Sequence, residues 1–385
     1  MPYLAGLSKM GYQFVVLSFE KKGRYQKEKK EVEKITSSAD IKWIPLWFTS
    51  KPPVLSKIYD RWKLKRRVSK ICKEQKIDIV HCRSYVAAEA GVEVKKKYGT
   101  KFLFDMRGFW ADEKVDNGQW DQKKYLFRRI YNHYKTKEKE FLLMADGIIT
   151  LTLSAKNYLL SKPEYKDLSI AVIPCCADLD HFDFHRISPE QIHMLRKELK
   201  IPDRTKVITY LGSAGGWYMT REMFFFVKML SNKHPEYMML VLTKDDPEII
   251  KTEASEAGIP TEKIIVTYAT RNRLPQFLAL STYGIFFIRN TFSKMASSPT
   301  KHGEFLGMGI PVICNEIGDT GSIVNDTKTG ILIDDFSERS FENAICRMTE
   351  LEKVRKEDIR NCAEKIFDLK VGVQKYMEMY NSIMA

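Results

Sequence analysis

The sequence lacks the features that mark secreted, membrane-spanning and zinc-binding proteins. Its first residues show no ordered basic, apolar and cleavage regions, so we expect no signal peptide. The longest uncharged run, Leu274–Ile288, has 15 residues and includes a proline and a glycine. That run is shorter than the ~20 residues that cross a bilayer. The 7 cysteines show no CxxC spacing and no histidines at zinc distances, which predicts reduced thiols in a cytosolic protein.

The composition excludes a disordered chain and indicates more than one domain. Apolar residues make up 44% and aromatic residues 12% of the sequence. A length of 385 residues exceeds one ordinary core and suits two domains of about 150–200 residues.

Basic residues are concentrated in the first half. Residues 1–176 contain 36 Lys and Arg against 20 Asp and Glu, whereas residues 177–385 contain 27 against 29. The excess is densest in Lys42–Lys76, and Leu55–Lys76 has helical spacing of apolar residues. This pattern predicts an amphipathic helix that binds an anionic membrane surface or a polyanion. The aromatic residues interleaved with these charges are Trp43, Trp47, Phe48, Tyr59 and Trp62. The alternative prediction is a solvated charged face with these aromatic side chains in the core.

Short apolar segments alternate with helical segments in two successive sets. Near-continuous apolar strands joined by helices predict parallel sheets covered on both faces. The fold class is therefore α/β, with two Rossmann-like doubly wound domains, and ligands are expected at the carboxyl ends of the strands and in the cleft between the domains. The predicted strands of the first set are 13–19, 78–83, 101–107, 147–152 and 170–174. Those of the second set are 206–212, 237–243, 263–268, 283–289, 311–315 and 330–334.

The irregular stretch 174–184 is the predicted hinge. We expect a first domain over residues 1–173, with a C-terminal helix at about 368–385 packing back on it, and a second domain over 174–367. The first domain opens with a helical segment at Pro2–Gly11, followed at once by what resembles a second strand. Its first strand is therefore absent, through either truncation or loss of the central strand.

The segment from Ser298 to Glu304 predicts a nucleotide-binding helix. Ser298 can cap the helix and Pro299 suits its first position. The N–H groups near Thr300 form an anion site with Lys301, and Glu304 can accept two ribose hydroxyls. The alternative is a capped surface helix with a solvated glutamate.

A glycine-rich turn follows the first strand of the second set. Gly212 and Ser213 open a loop in which the backbone can approach a phosphate closely. The alternative is a tight turn without a ligand. Lys301 is the first candidate for a phosphate-binding cation; weaker ones are Arg289, Lys294 and Arg221.

Polar residues follow two strands of the first set. Asp105 and Arg107 end one strand, where Arg107 can bind an anion and Asp105 can hold Arg107 or accept a hydroxyl proton. The alternative is a structural Asp105–Arg107 pair. The further acceptor-side candidates are His81, Arg83, Ser84, Asp112 and Glu113.

Several segments resemble retaining family-4 glycosyltransferases. Ile173–Phe182 is similar to their hinge, Val207–Gly212 to their first C-domain strand and turn, and the Glu304 segment with Gly309–Val312 to the second half of their two-glutamate motif. The first glutamate of that motif falls at Ala296. The resemblance implies a GT-B architecture, a nucleotide-sugar donor on the C-terminal domain and an acceptor on the N-terminal one. It also implies catalysis without a metal or other cofactor.

Three classes of function follow. The first is a cytoplasmic glycosyltransferase, peripheral at the inner face of the membrane, that builds a surface polysaccharide or glycoconjugate on a saccharide or lipid-linked acceptor. The second is a nucleotide-sugar epimerase of the same architecture. The third is a non-catalytic, degenerate transferase or polyanion-binding protein. No nucleic-acid module is recognisable, so we expect no nucleic-acid partner.

Overall fold

The computed structural model describes residues 2–385, including every side chain in that range except those of residues 53 and 54. The chain divides into two compact units. The first unit comprises the residues up to Ile173 together with Leu369–Ala385, and the second comprises Pro174–Asp368.

The first unit contains two separate parallel sheets. The smaller has the order β1-β2 and the larger the order β3-β4-β5-β6. The strands are β1 Phe14–Glu20, β2 Ile41–Trp47, β3 Ile79–Arg83, β4 Lys101–Asp105, β5 Gly147–Thr150 and β6 Ile170–Val172. The helices are α1 Pro2–Ser8, α2 Lys22–Ser38, α3 Pro53–Glu74, α4 Ser84–Tyr98, α5 Trp110–Asp116, α6 Tyr125–Met144, α7 Leu153–Leu160 and, at the end of the chain, α16 Leu369–Met384.

Helix α16 packs on the larger sheet of the first unit. A Cβ atom on Gly147 would lie 2.5 Å from the sulfur of Met379, so the glycine lets the helix approach β5 closely. Leu7 of α1 and Leu103 of β4 join the same buried cluster as Tyr376 of α16. The end of the chain therefore completes the core of the first unit.

The first unit contains one strand that the sequence analysis missed. Within residues 2–385, α1 is followed directly by β1 and no strand precedes it. The missed strand is β2, where Pro45 and the neighbouring tryptophans hide the apolar alternation. Pro45 is tolerated because β2 pairs with β1 alone.

The second unit contains one six-stranded parallel sheet of order β12-β11-β10-β7-β8-β9. Its strands are β7 Lys206–Leu211, β8 Tyr237–Leu242, β9 Ile264–Thr267, β10 Tyr283–Phe286, β11 Val312–Asn315 and β12 Gly330–Ile333. Its helices are α8 Pro189–Glu198, α9 Thr220–Lys233, α10 Pro247–Glu256, α11 Leu274–Leu278, α12 Thr300–Gly307, α13 Thr320–Thr327, α14 Glu338–Leu351 and α15 Lys356–Ile366. β8 and β10 are wholly buried, as near-continuous apolar strands require.

Helix α12 is held in place from two sides. A Cβ atom on Gly284 of β10 would lie 2.6 Å from the ring of Phe305, so this glycine lets α12 lie close on the sheet. At the other end, the Arg360 guanidinium donates to the carbonyl oxygens of Gly307 and Phe182, both at 2.7 Å, and of Leu179 at 2.9 Å. These contacts fix the helix that carries Lys301.

Candidate functional site

The glycine loop after β7 begins with residues that favour positive φ. Gly212, Gly215 and Gly216 have φ angles of 127°, 68° and 62°. Asp245 fastens the loop, because its carboxylate accepts a 2.6 Å hydrogen bond from the N–H of Ala214. The loop is therefore a fixed backbone turn at the carboxyl end of the central strand, where doubly wound sheets bind ligands.

Lys301 of α12 lies beneath this loop. Its side chain is buried, with 6% of the residue exposed, and its Nζ has no hydrogen-bond partner among the described residues. The Nζ lies 3.6 Å from the ring centroid of Tyr218 and 4.3 Å from that of Tyr210. A Cβ on Gly212 would lie 3.0 Å from it, so the amine faces the loop backbone. Burial lowers the pKa of Lys301 to about 7.

Glu304 lies one turn further along α12 and is half-buried. Burial raises the pKa of its carboxyl group, and the nearby charges of Arg271 and Lys301 oppose that rise. A carboxylate, an amine and the loop backbone thus converge on one side of α12. An unpaired buried amine normally signals a missing anionic partner.

The start of α12 differs from the predicted one. The helix begins at Thr300, and Pro299 precedes it without a side-chain cap. The hydroxyl of Ser298 instead accepts a 3.2 Å hydrogen bond from the N–H of Cys175. The prediction that Ser298 caps the helix is therefore wrong, because its hydroxyl anchors the segment that leads into the second unit. Thr300 is exposed at the first position of the helix.

The three weaker cation candidates differ in place. Arg221 and Arg289 line a cavity of about 470 Å³ together with Gly215, Gly216 and Tyr218. Lys294 is buried with its Nζ 3.8 Å from the ring centroid of Trp217. The two arginines therefore line a cavity together with Gly215 and Gly216, whereas Lys301 lies next to Gly212.

The sequence analysis missed the aromatic and buried neighbours of Lys301. Tyr210 and Tyr218 enclose the amine, and Asp245 holds the loop. His302 is fully buried, neither ring nitrogen has a partner among the described residues, and burial lowers its pKa to about 3. It is therefore neutral and packs as an apolar ring between Phe286 and Phe367. In the sequence, the burial of His302 is indicated only by its helical spacing from the apolar residues Phe305 and Leu306.

In the first unit, Asp105 is buried and already engaged. Its Oδ2 accepts a 3.1 Å hydrogen bond from the Tyr376 hydroxyl and lies 3.5 Å from Nε2 of His81. The Nδ1 of His81 is 2.8 Å from the Tyr380 hydroxyl. Burial raises the pKa of Asp105, but His81 and the charges of the strand-end arginines outweigh it and hold that pKa below the usual value. The structure does not support Asp105 as an accessible proton acceptor, because only 2% of the residue is exposed.

Arg83, Ser84 and Arg107 lie at the carboxyl ends of the paired parallel strands β3 and β4, with Arg83 as the last residue of β3. Arg83 is exposed, and Ser84 and Arg107 are half-buried. Ser84 and Arg107 have φ angles of 70° and 61°, a left-handed conformation that non-glycine residues rarely adopt. Such backbone positions are enriched at functional sites. Glu113 is half-buried in α5.

Asp112 is not free to serve an acceptor. Its two carboxylate oxygens accept 2.8 Å hydrogen bonds from the Tyr131 hydroxyl and from the Lys135 amine. Lys135 also pairs with the buried Glu138 at 2.6 Å. The expected acceptor role of Asp112 is therefore corrected to a structural one, because the side chain ties α5 to α6.

Helix α3 exposes an apolar stripe to solvent, here called the α3 stripe and formed by Leu55, Ile58, Tyr59 and Trp62. Each is between 50 and 64% exposed. Leu64 and Ile71 on the same helix are buried, so the single broad face predicted from the sequence divides into two. The N-terminal aromatics of α3 do not lie in the core. Of the described helices, none is both long and apolar enough to cross a membrane.

Two family models match successive parts of the chain. The family model for Glycosyltransferase Family 4 matches residues 3–181, and that for Glycosyl transferases group 1 matches residues 191–365. A D-inositol 3-phosphate glycosyltransferase of Corynebacterium jeikeium (strain K411) is 22% identical over 297 residues. That alignment covers 72% of this chain and 65% of the relative.

Solved structures share the fold. A glycosyltransferase from Rickettsia africae ESF-5 has a TM-score of 0.71 at 18% identity, with coverage of 100% of this chain and 93% of the other. The Anabaena HepE protein in complex with UDP-glucose has a TM-score of 0.69 at 11% identity, with coverage of 96% and 99%. Because the two family models together span nearly the whole chain, the protein belongs to the group 1 glycosyltransferases of the GT-B class.

Proposed function

We propose that this protein transfers a sugar from a nucleotide-sugar donor to a saccharide or lipid-linked acceptor, with retention of configuration. The observation that carries the proposal is the buried amine of Lys301, which lies next to the glycine loop and has no hydrogen-bond partner among the described residues. An anionic ligand would supply its partner, and a diphosphate fits both the amine and the loop backbone.

The donor is held by α12 and the glycine loop. The backbone of Gly212 and Ser213, the amine of Lys301 and the first N–H groups of α12 near Thr300 bind the diphosphate. Glu304 accepts hydrogen bonds from the ribose hydroxyls. The raised pKa of Glu304 is compatible with this role, because a hydroxyl donor and the nearby cations favour the ionised form.

The reaction breaks the bond between the sugar's anomeric carbon and the diphosphate oxygen, and the electron pair leaves with the diphosphate. Lys301 and the helix N–H groups stabilise this developing charge. The acceptor hydroxyl forms the new bond from the same face, and its proton goes to the departing phosphate. In this reaction, groups of this chain stabilise the negative charge on the diphosphate, and no protein carboxylate is needed as a base.

The acceptor is assigned to the first unit. Arg83, Ser84 and Arg107 lie at the carboxyl ends of adjacent strands, so their polar groups can contact a saccharide. Asp105 and His81 act as positioning residues for the carboxyl ends of β3 and β4, because their side chains contact each other and α16. In this proposal, Asp105 positions its neighbours and does not accept the proton of the acceptor hydroxyl.

The α3 stripe is proposed to dock on an anionic membrane at the cytoplasmic face, where a lipid-linked acceptor would lie. The guanidinium of Arg66 lies 5.3 Å from the Trp62 ring centroid, and the amine of Lys63 lies 5.1 Å from that of Tyr59. Exposed aromatics flanked by cations suit a headgroup boundary. Each cation near an anionic surface contributes about 1 kcal/mol. Flotation with phosphatidylserine vesicles tests this docking. Failure to bind the vesicles at low salt would show that α3 does not bind membranes and is only a solvated charged helix.

The experiment that tests the transferase proposal is saturation-transfer NMR with a panel of nucleotide sugars. Lys301→Ala should weaken nucleoside diphosphate binding far more than nucleoside binding. Equal losses for both would show that Lys301 does not contact phosphate. An epimerised free nucleotide sugar, rather than a transferred sugar, would identify the epimerase alternative.

Glu304→Ala gives a second test of the donor site. We expect it to weaken both nucleotide and nucleoside binding by about 1–3 kcal/mol, because charged hydrogen bonds to the ribose are lost. Calorimetry measures both affinities. An unchanged nucleoside affinity would contradict the ribose assignment.

A further inference from the structure

Two adjacent cysteines, Cys175 and Cys176, lie near the start of the second unit. Both are half-buried, and in the part of the chain that the structure describes neither forms a disulfide. The N–H of Cys175 donates a 3.2 Å hydrogen bond to the hydroxyl of Ser298, which lies just ahead of α12. Cys175 is therefore located at the same end of α12 as Lys301.

The segment that carries Cys175 is attached to α12 at both ends of the helix. Ser298 holds it at the start. At the far end, the Arg360 guanidinium donates to the carbonyl oxygens of Leu179, in this segment, and of Gly307, the last residue of α12. The backbone at Cys175 therefore keeps its place beside the start of the helix.

Tyr218 links Cys175 to the proposed diphosphate site. Burial raises the pKa of the Tyr218 hydroxyl, and the charges of Cys175 and Glu304 add to this rise, so both groups are close enough to act on it. The Tyr218 ring centroid lies 3.6 Å from Nζ of Lys301. The buried Lys301 amine has no hydrogen-bond partner among the described residues, which indicates an anionic ligand at this place.

We infer that the thiol of Cys175 borders the diphosphate site and is a site of covalent modification by low-molecular-weight disulfides. The inference rests on the proposed donor site. In the reaction, the Cys175 thiolate attacks one sulfur of the disulfide, a new S–S bond forms, and the other sulfur leaves as a thiolate. The proton of the Cys175 thiol goes to solvent. The reagent disulfide is reduced as the protein thiol is oxidised, so no other oxidant is needed.

The adduct and a nucleoside diphosphate compete for one place. The adduct adds a chain of atoms beside Tyr218 and Lys301, where the diphosphate would meet the buried amine. The charge of Lys301 attracts an anionic reagent, whereas the carboxylate of Glu304 opposes that attraction. The effect of removing the Lys301 charge is therefore more informative than the preference for one reagent.

Treatment with oxidised glutathione tests the competition. Peptide mass spectrometry locates the adducts, and calorimetry measures the affinity for UDP, ADP and GDP before and after treatment. We expect the full chain and the matched control Cys176→Ser to lose nucleoside diphosphate affinity by about tenfold or more, and dithiothreitol to restore it. Cys175→Ser should keep, through the treatment, the affinity that it had before. An adduct on Cys175 without a loss of affinity would overturn the inference.

Protection by the nucleotide is the converse measurement. At about ten times its Kd, the nucleoside diphosphate should slow the modification of Cys175 by about tenfold, because it occupies most of the sites. The modification of Cys346, which is exposed on α14, should not change. Nucleotide binding that leaves the rate at Cys175 unchanged would also overturn the inference.

Two reagents of opposite charge separate this inference from the proposed function. Sulfonatoethyl and trimethylammonioethyl methanethiosulfonate each form a mixed disulfide with a thiol and release methanesulfinate. At about pH 6 the Lys301 amine is charged, because its pKa is about 7. Lys301→Met should therefore lower the ratio of the anionic to the cationic rate by about threefold or more at Cys175, but not at Cys346.

An unchanged ratio at Cys175 would overturn its place beside Lys301, whether or not a nucleotide binds. Failure of the untreated chain to bind any of the three nucleoside diphosphates would contradict the proposed function instead. The ratio of rates would then decide alone whether the thiol borders the Lys301 amine.

Discussion

At the scale of single residues, Lys301 shows what a sequence can and cannot reveal. Its position between Pro299 and Glu304 predicts a phosphate-binding role, and its place beneath the Gly212 loop is compatible with that prediction. The sequence could not predict that Tyr210 and Tyr218 enclose the amine, because these contacts depend on how β7 and the loop pack on α12. For the same reason, the binding of Ser298 to Cys175 was not foreseeable.

Lys301→Met should stabilise the protein while abolishing diphosphate binding. Among the described residues the buried amine has no hydrogen-bond partner, and removing such a group recovers about 1–3 kcal/mol. Thermal and denaturant unfolding measure the stability, and calorimetry measures the binding. Lys365→Met, at an exposed position on α15, is the control and should change neither. A destabilised Lys301→Met protein would show that the amine has a stabilising partner in solution.

The pKa of Lys301 predicts a proton linkage. It is lowered to about 7 in the folded chain, below the ordinary lysine value of 10.5. Between these values the unfolded chain binds more protons, so the stability of the folded chain should rise with pH from about 7 to about 10.5. The Lys301→Met variant should lose this slope.

Diphosphate binding near pH 8 should bring about proton uptake, because the anionic ligand favours the charged amine. Calorimetry in buffers of different ionisation enthalpy measures the protons taken up. The uptake should vanish near pH 5 and in Lys301→Met. Binding without proton uptake at pH 8 would mean that the amine is already charged in the free protein.

Asp105→Asn should destabilise the first unit by about 1–3 kcal/mol, because His81 and Tyr376 lose a charged hydrogen-bond partner. The pKa of Asp105 is lowered on folding, so its contribution is present above its unfolded pKa and is lost as pH falls through the folded value. The difference in stability between variant and parent should therefore begin to shrink as the pH falls below about 4, and it should vanish only below the folded pKa of Asp105. Asp167→Asn, on an exposed loop, is the control, and nucleotide affinity should stay unchanged in both. A large fall in nucleotide affinity would contradict the positioning role.

At the scale of elements, helices and buried strands were predictable and the orientation of α3 was not. The apolar spacing of Leu55–Lys76 predicted a helix, and the structure places it at Pro53–Glu74. Spacing alone could not separate Leu64, which packs inward, from Trp62, which faces solvent. Asp60 decides this orientation, because it is buried and accepts hydrogen bonds from both the N–H and the hydroxyl of Thr49.

Replacing Ile58 and Trp62 by serine should reduce binding to anionic vesicles by about a hundredfold or more, since each inserted side chain contributes about 1.5–3 kcal/mol. Both residues are more than half exposed, so the fold should be unaffected. Vesicle flotation and circular dichroism measure the two properties. The control replaces Tyr125 and Leu126 of α6, which are equally exposed and outside the α3 stripe. Equal losses in the two double variants would show general hydrophobic binding rather than docking by α3.

At the scale of the whole molecule, the excess of basic residues lies in the first half of the chain, whereas the proposed donor site lies in the second unit. The parallel α/β organisation was predictable, because apolar strands such as β8 and β10 are bounded by clear helical segments. The break between β1 and β3 was only partly predictable. The sequence predicted that a helix comes before the first strand, but it could not predict that the strands pair as two separate sheets.

This division predicts different responses to salt. Raising the ionic strength from about 0.1 M to about 1 M shortens the Debye length from about 10 Å to about 3 Å. Vesicle binding through the exposed cations of α3 should therefore fall steeply. Nucleoside diphosphate binding should change much less, because Lys301 is buried. Parallel titrations by flotation and calorimetry measure both, and an equal loss would place the diphosphate at exposed cations instead.

The three carbonyl oxygens that converge on Arg360 limit which residue can stand there. Each accepts a hydrogen bond of 2.9 Å or less from one planar guanidinium, and they belong to Leu179, Phe182 and Gly307. A lysine keeps the charge but presents a single ammonium on a flexible stem, which does not reproduce that fork. An apparently conservative exchange to lysine would therefore leave carbonyl groups without donors at the end of α12. A position remote from the ligand thus tolerates less variation than its charge alone suggests.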